Sequence, residues 1–370
     1  MIDKVNFASV LCFMYIAMYI LGQAVGNDII ISLSIIIGFT SYFFTLTNRS
    51  IKPLLWSGLL AVDILILLLN ETYPLSRLVF NIAFFSLNIL LLSAILNMRI
   101  KVLLVLRLVI LMLFVFIITA FFIALIHNMK VYTYLDSVLV GFSYNYISGL
   151  LILAVSLYLG FYMKISQKPR FGKTISIISV MLCFLLYGRS GIAFSFLLAL
   201  VACRDYINFK TGFRTFVVIV LLTCFTAFVV YNSFVIIDLI QNSKFKEGLQ
   251  SPRSIMLSQY IAALNLQTLL LGVDITKIPL IASFNFNPHN SYLNLHAMSG
   301  LLGILFISLL IVMIFKISIH SGITAVYLFI YLGRGAIDTI IFPGVLDFIF
   351  LGILLSGSSW LNHYKISKVA

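Results

Sequence analysis

Charge is scarce in this chain. Only 9% of its 370 residues are Asp, Glu, Lys or Arg, against 62% that are hydrophobic. Soluble domains carry about 25% charged residues and about half apolar ones, so an ordinary soluble domain is excluded. Strict polar and apolar alternation is also missing. The apolar runs recurring from Phe7 to Leu355 are continuous, which argues against an outer-membrane barrel. Cysteine is confined to Cys12, Cys183, Cys203 and Cys224, all in apolar stretches, with no C-x-x-C and no neighbouring histidine. Disulfides and zinc are therefore unsupported, and the four read as small core residues. No G-x-x-x-x-G-K-[ST] occurs, so direct use of ATP has no basis.

What is present is enough apolar length to cross a bilayer many times, since a spanning helix needs roughly 20 residues. The mean hydropathy is +1.15. The expected fold is an all-α polytopic membrane protein, one integral domain over 1–370, with about twelve transmembrane helices. The predicted spans are 6–21, 29–46, 54–69, 78–96, 102–126, 146–163, 171–187, 190–207, 215–236, 291–315, 321–340 and 345–361. MIDKVNF and the run after it read as a retained signal-anchor span rather than a cleaved signal peptide.

The net charge of +13 is informative through its distribution. With the N-terminus cytoplasmic, sixteen Lys and Arg fall on the inner side, from Lys4 to Lys368, and eight on the outer side. That split satisfies the positive-inside rule and places both termini in the cytoplasm. The same rule divides 171–207 into two spans, because the basic stretches KISQKPRFGK and RDYINFKTGFR that flank it belong on one side. The reversal falls at Gly188-Arg189-Ser190-Gly191, where the two glycines suit a tight turn.

Two outer segments are long, 127–145 and 237–290, and the second is the expected seat of function. Within it, Ser251 as N-cap, Pro252 at the first position and Gly272 as stop predict one capped amphipathic helix with Arg253 in its first turn. A guanidinium beside free helix-terminal N–H groups suits a phosphate, while pairing with Glu247 or binding to outer-leaflet lipid is the plainer reading. The segment ends in Asn287-Pro288-His289-Asn290-Ser291-Tyr292, and Pro288 predicts a helix start with His289 in the first turn. A neutral imidazole there is able to accept a proton near neutrality. His296 fits either a satisfied core residue or a supporting one. Asp63 lies mid-span, a costly place for a lone carboxylate and a functional candidate for that reason. Arg334 and Asp338, four apart, are expected on one helix as an ion pair or as support for the site.

Three stretches together resemble the O-antigen polymerase and O-antigen ligase superfamily of bacterial envelope glycosyltransferases. They are Gly188-Arg189-Ser190-Gly191, Arg253 with its helix and Leu270-Leu271-Gly272, and Pro288-His289-Asn290-Ser291-Tyr292-Leu293 running into Gly300-Leu301-Leu302-Gly303. The motifs span about 174–315, and the first five spans carry none. The resemblance implies a GT-C-like membrane glycosyltransferase with an undecaprenyl-diphosphate-linked donor and a periplasmic active site. By position, Arg189 and Arg253 look like the family's diphosphate-binding arginines and His289 like its essential histidine, with Asn290, Tyr292, Arg334 and Asp338 in support. It implies no cofactor and no metal. The first outer loop, 22–28, offers only Asp28, where metal-dependent relatives need a carboxylate cluster. The implied partners are the lipid-linked oligosaccharide, the bilayer and a chain-length regulator, with no nucleic acid. Polymerase is favoured over ligase by the texture of PHNSYLNLHAMSGLLG and of Arg334-x-x-x-Asp338 before Phe342-Pro343-Gly344. A lipid-linked oligosaccharide flippase is the competing class.

Overall fold

A computed structural model of the chain describes residues 4–46, 75–165, 171–207, 252–284 and 286–356. Among these residues it contains fifteen α-helices, one 3-10 turn and no strand. The expected spans 54–69 and 215–236, Asp63, Ser251 and Glu247 lie outside the described residues.

The chain begins as a hairpin of α1 (Lys4–Val25) and α2 (Asp28–Phe43). Gly26 takes φ 63° at the reversal, and the Asn27 side chain accepts hydrogen bonds from the Ile29 and Ile30 N–H groups to start α2. Then follow α3 (Leu75–Leu96), α4 (Val102–Ile126), the short α5 (Val131–Val138), α6 (Tyr144–Lys164), α7 (Gly172–Leu185) and α8 (Arg189–Ile207). Five helices are long and apolar enough to cross a membrane: α1, residues 79–96 of α3, α4, α6 and the later α13 (Leu301–His320), while α2 and α7 are shorter apolar helices. On α4 the exposed side chains Leu111, Val115, Ile118 and Phe122 form one stripe, opposite buried Val105, Val109 and Leu113. An apolar stripe turned outward on a helix of this length suits contact with hydrocarbon.

The centre of the molecule is α6, which is buried continuously from Ile147 to Tyr162 and packs against α4, α8 and α14 (Gly322–Gly335). An α-helix that is apolar all round belongs in an interior. Its Ser148 and Ser156 hydroxyls donate to carbonyls one turn back, which removes the cost of burying them.

The helix ends gather at two poles. At one, the Lys101 N–H donates to Ser9 Oγ, Ser41 Oγ donates to the Ala8 carbonyl, and Lys164 donates to the Ile353 carbonyl at the end of α15 (Asp347–Leu355). At the other pole the Val140 N–H donates to the Ala24 carbonyl, and the start of α6 meets the turn into α8. The segment between Pro252 and His289 gathers at this second pole as α9 (Pro252–Ala262), α10 (Leu266–Leu271), a 3-10 turn at Ile275–Lys277 and α11 (Pro279–Ser283).

Three expectations are corrected. The single capped helix of 251–272 is two helices, because Asn265 and Thr268 form a capping box that starts α10 afresh. The tenth span is broken into α12 (Ser291–Ser299) and α13 at Gly300, which has φ 53° and a backbone so close to α10 that a Cβ would lie 2.0 Å from the Leu270 carbonyl oxygen. Arg334 and Asp338 do not share a helix: α14 ends at Gly335, and Asp338 lies in the loop beyond it.

Candidate functional site

The second pole carries a cluster built around Asp338. The Arg334 Nη2 donates to Asp338 Oδ2 at 3.0 Å, while Oδ1 faces His289 Nδ1 at 3.4 Å and Arg253 Nη2 at 3.7 Å. Three side chains, two of them distant from it in sequence, therefore meet at one carboxylate. Arg334 is completely buried, and its Nη2 also donates to the Asn145 carbonyl at the start of α6. Its Nε and Nη1 find no acceptor among the described residues, so Asp338 and Asn145 are its anchors. Gly149 leaves room for this guanidinium, since a Cβ there would lie 3.0 Å from Nη2. Burial works to raise the pKa of the Asp338 carboxyl, but the hydrogen bond from His289 and the charges of Arg334 and Arg253 outweigh it and hold the group below its ordinary value. The carboxylate is ionised at neutral pH.

Exposure separates the three groups around Asp338. The Arg253 side chain is 34% exposed and that of His289 22%, whereas Arg334 is sealed beneath them. Two guanidiniums share one carboxylate, which leaves an excess of positive charge at an open surface. Such a surface attracts an anion. Because a carboxylate only accepts, a neutral imidazole at this place carries its proton on Nδ1 and keeps Nε2 as its acceptor nitrogen.

The backbone around the cluster is fixed from both sides. Ser291 is fully buried, and its hydroxyl donates to the Asp338 carbonyl at 2.7 Å and accepts from the Ile340 and Ile341 N–H groups. Asn287 Oδ1 accepts from the His289 N–H and from the Thr339 hydroxyl, both at 2.8 Å. Beyond the loop, Asp347 at the start of α15 accepts from the Tyr331 hydroxyl and from the Phe342 and Gly344 N–H groups. Among these positions, neither Ser291 nor Asn145 carries a sequence signal for its role, because each acts through a contact with a distant element.

His289 departs from expectation in its place. It precedes α12 rather than occupying its first turn: Asn290 is the N-cap, accepting from the Tyr292 and Leu293 N–H groups, and His289 stands before it with φ 49°. An asparagine caps more strongly than Pro288 starts, so the helix begins three residues later than expected, at Ser291. Consequently the Asp338 carboxylate, not the helix N-terminus, is what faces Nδ1. Tyr292 donates its hydroxyl to the Leu332 carbonyl at 2.6 Å and so joins α12 to α14 away from the cluster. Arg189 is the first residue of α8, next to Gly188, which packs on the Asn145 side chain. Its turn thus adjoins the residue that anchors Arg334.

Behind the loop that carries Asp338 lies a cavity of about 410 Å³. Its walls include Phe85 of α3, Leu295 and Ser299 of α12, Phe306 of α13, and Phe342 and Pro343 of the loop itself. A polar, cationic pole and an apolar hollow therefore share one loop as a wall.

Comparisons with protein-family models, with curated proteins and with solved structures found no match to this chain.

Proposed function

We propose that this chain is a metal-independent membrane glycosyltransferase of the O-antigen polymerase type. It would span the bacterial inner membrane about twelve times, with both termini cytoplasmic and the Asp338 pole facing the periplasm. It moves a glycan from an undecaprenyl-diphosphate carrier onto a lipid-linked repeat unit. The observation that carries this reading is the convergence of Arg253, His289 and Arg334 on Asp338, with Arg253 and His289 open to a ligand.

The chemistry follows from the roles available. An acceptor hydroxyl oxygen attacks the anomeric carbon as the bond from that carbon to the diphosphate oxygen breaks. The lipid diphosphate leaves with the electron pair, and the hydroxyl proton passes to His289 Nε2. Negative charge grows on the phosphate oxygens, where the Arg253 guanidinium, joined by Arg189 from the neighbouring turn, stabilises it. Asp338 orients the imidazole, and Arg334 holds Asp338 from below. The carboxylate is already committed to three nitrogen partners, which leaves it a poor metal ligand. The apolar cavity suits part of a polyprenyl tail.

The test is the glycan phenotype of a deletion strain. A polymerase leaves lipid A core bearing a single repeat unit. Core bearing no repeat, with long chains retained on undecaprenyl diphosphate, would instead identify a ligase, and repeat units trapped inside the cell a flippase.

A further inference from the structure

The segment that carries Arg253 does not belong to the main core. Met256, Tyr260, Val273, Ile275, Ile278 and Ile281 form a small core of their own, and α12 contributes Ala297 to it. On α9, residues 253, 256 and 260 follow the spacing of one helical face. Met256 and Tyr260 on that face are buried. The depth to which that face seats therefore governs the reach of Arg253 toward Asp338.

One polar contact registers the seating. His296 of α12 is 6% exposed, and its two ring nitrogens engage two different helices. Nε2 lies 3.1 Å from the Leu269 carbonyl of α10, and Nδ1 lies 2.7 Å from the Tyr260 hydroxyl of α9. A carbonyl only accepts, so Nε2 carries the proton and donates. Nδ1 then accepts from the Tyr260 O–H. The neutral ring thus has both valences filled, and the tyrosine has a fixed distance and direction. Nearby, a Cβ at Gly272 would lie 2.7 Å from the His296 carbonyl oxygen, so the backbones already touch at the same place. Apolar packing alone permits a helix to slide, whereas a buried hydrogen bond between side chains fixes its register.

We propose that His296 and Tyr260 are positioning residues that set Arg253 at its working distance from Asp338 and from the donor diphosphate. The inference rests on the reading of Arg253 as a diphosphate-binding residue, and its test separates the two.

The full-length protein is purified in detergent, and its affinity for undecaprenyl diphosphate is measured together with amide hydrogen exchange across residues 252–262. Tyr260→Phe keeps the ring and removes the hydroxyl. It should weaken binding about three- to tenfold, the effect of losing one buried hydrogen bond, and should speed exchange in α9 while leaving α13 unchanged. In an Arg253→Ala background the same substitution should weaken binding no further, because Tyr260 acts through Arg253. His296→Asn offers an amide oxygen to the tyrosine hydroxyl and should recover most of the affinity, whereas His296→Phe should not. Wild-type affinity and exchange in Tyr260→Phe would overturn the inference, as would additive losses in the double variant. Faster exchange in Tyr260→Phe with unaltered binding in Arg253→Ala would leave the tether standing and remove Arg253 from the diphosphate site.

Discussion

At residue 289 the side chain has one nitrogen against a carboxylate and one that the carboxylate does not hold, so under the proposed function its loss should affect the chemical step more than donor binding. His289→Ala should lower glycan transfer about 10² to 10⁴-fold, the usual contribution of a general base, with affinity for undecaprenyl diphosphate retained. Transfer by purified protein in liposomes measures this, and addition of EDTA should leave the wild-type rate unchanged. The neighbouring Asp338 has a different duty. Its removal leaves Arg334 fully buried without its counter-charge, and breaking a buried pair in this way costs about 3–5 kcal/mol. Asp338→Ala should therefore lower the thermal midpoint of the detergent-solubilised protein as well as its activity. Arg253→Lys keeps a charge but loses the planar fork, and should recover only part of the donor affinity lost in Arg253→Ala. The residue types that make these side chains candidates were legible in the sequence. Their order of burial was not: Arg334 and Arg253 are the same residue type, and only packing seals one and opens the other.

Among the elements, the reversal between α7 and α8 was legible from the charge of its flanks, but the reason for its glycines was not. The left-handed residue of the turn is Tyr187, with φ 54°, and not either glycine. The glycines serve close packing on α6: a Cβ at Gly188 would lie 2.4 Å from Asn145 Oδ1, and one at Gly191 2.8 Å from Ser148 Oγ. Gly191→Val should push α8 outward at a cost of about 1–3 kcal/mol. Because Arg189 begins that helix, the variant should also need more donor to reach half-maximal transfer, read as a raised KM. The break between α9 and α10 was legible in principle, since Asn265-x-x-Thr268 is a helix-start signal. It was masked by the apolar residues on both sides of it, which make the polar cap positions Asn265, Gln267 and Thr268 read as one face of a continuing helix. The break at Gly300 depends on the approach of α10, an element far away in sequence, and no local pattern announces it.

For the whole molecule, the distribution of charge follows the two poles. Lys4, Lys101, Lys164 and Lys173 lie at the helix ends opposite the cluster, while Lys130, Lys277, Arg189 and Arg253 lie on the cluster side. If that pole faces the periplasm, then in a cysteine-free background on intact spheroplasts an impermeant maleimide should label Lys277→Cys, whose parent side chain is 82% exposed, and spare Lys316→Cys. The reverse pattern would invert the molecule and take the site from the periplasm. Helical class, the presence of helices long and apolar enough to cross a membrane, and the alternation of helix ends were determined by the sequence alone, because the cost of placing charge and unpaired backbone in hydrocarbon acts on every segment independently of its neighbours. Which ends stand side by side was decided by tertiary structure. The meeting of Arg253, His289 and Arg334 at Asp338 depends on how α6, α12, α14 and the segment 252–284 pack laterally, and lateral packing is set by the fit of side chains from distant elements, which local hydropathy does not encode.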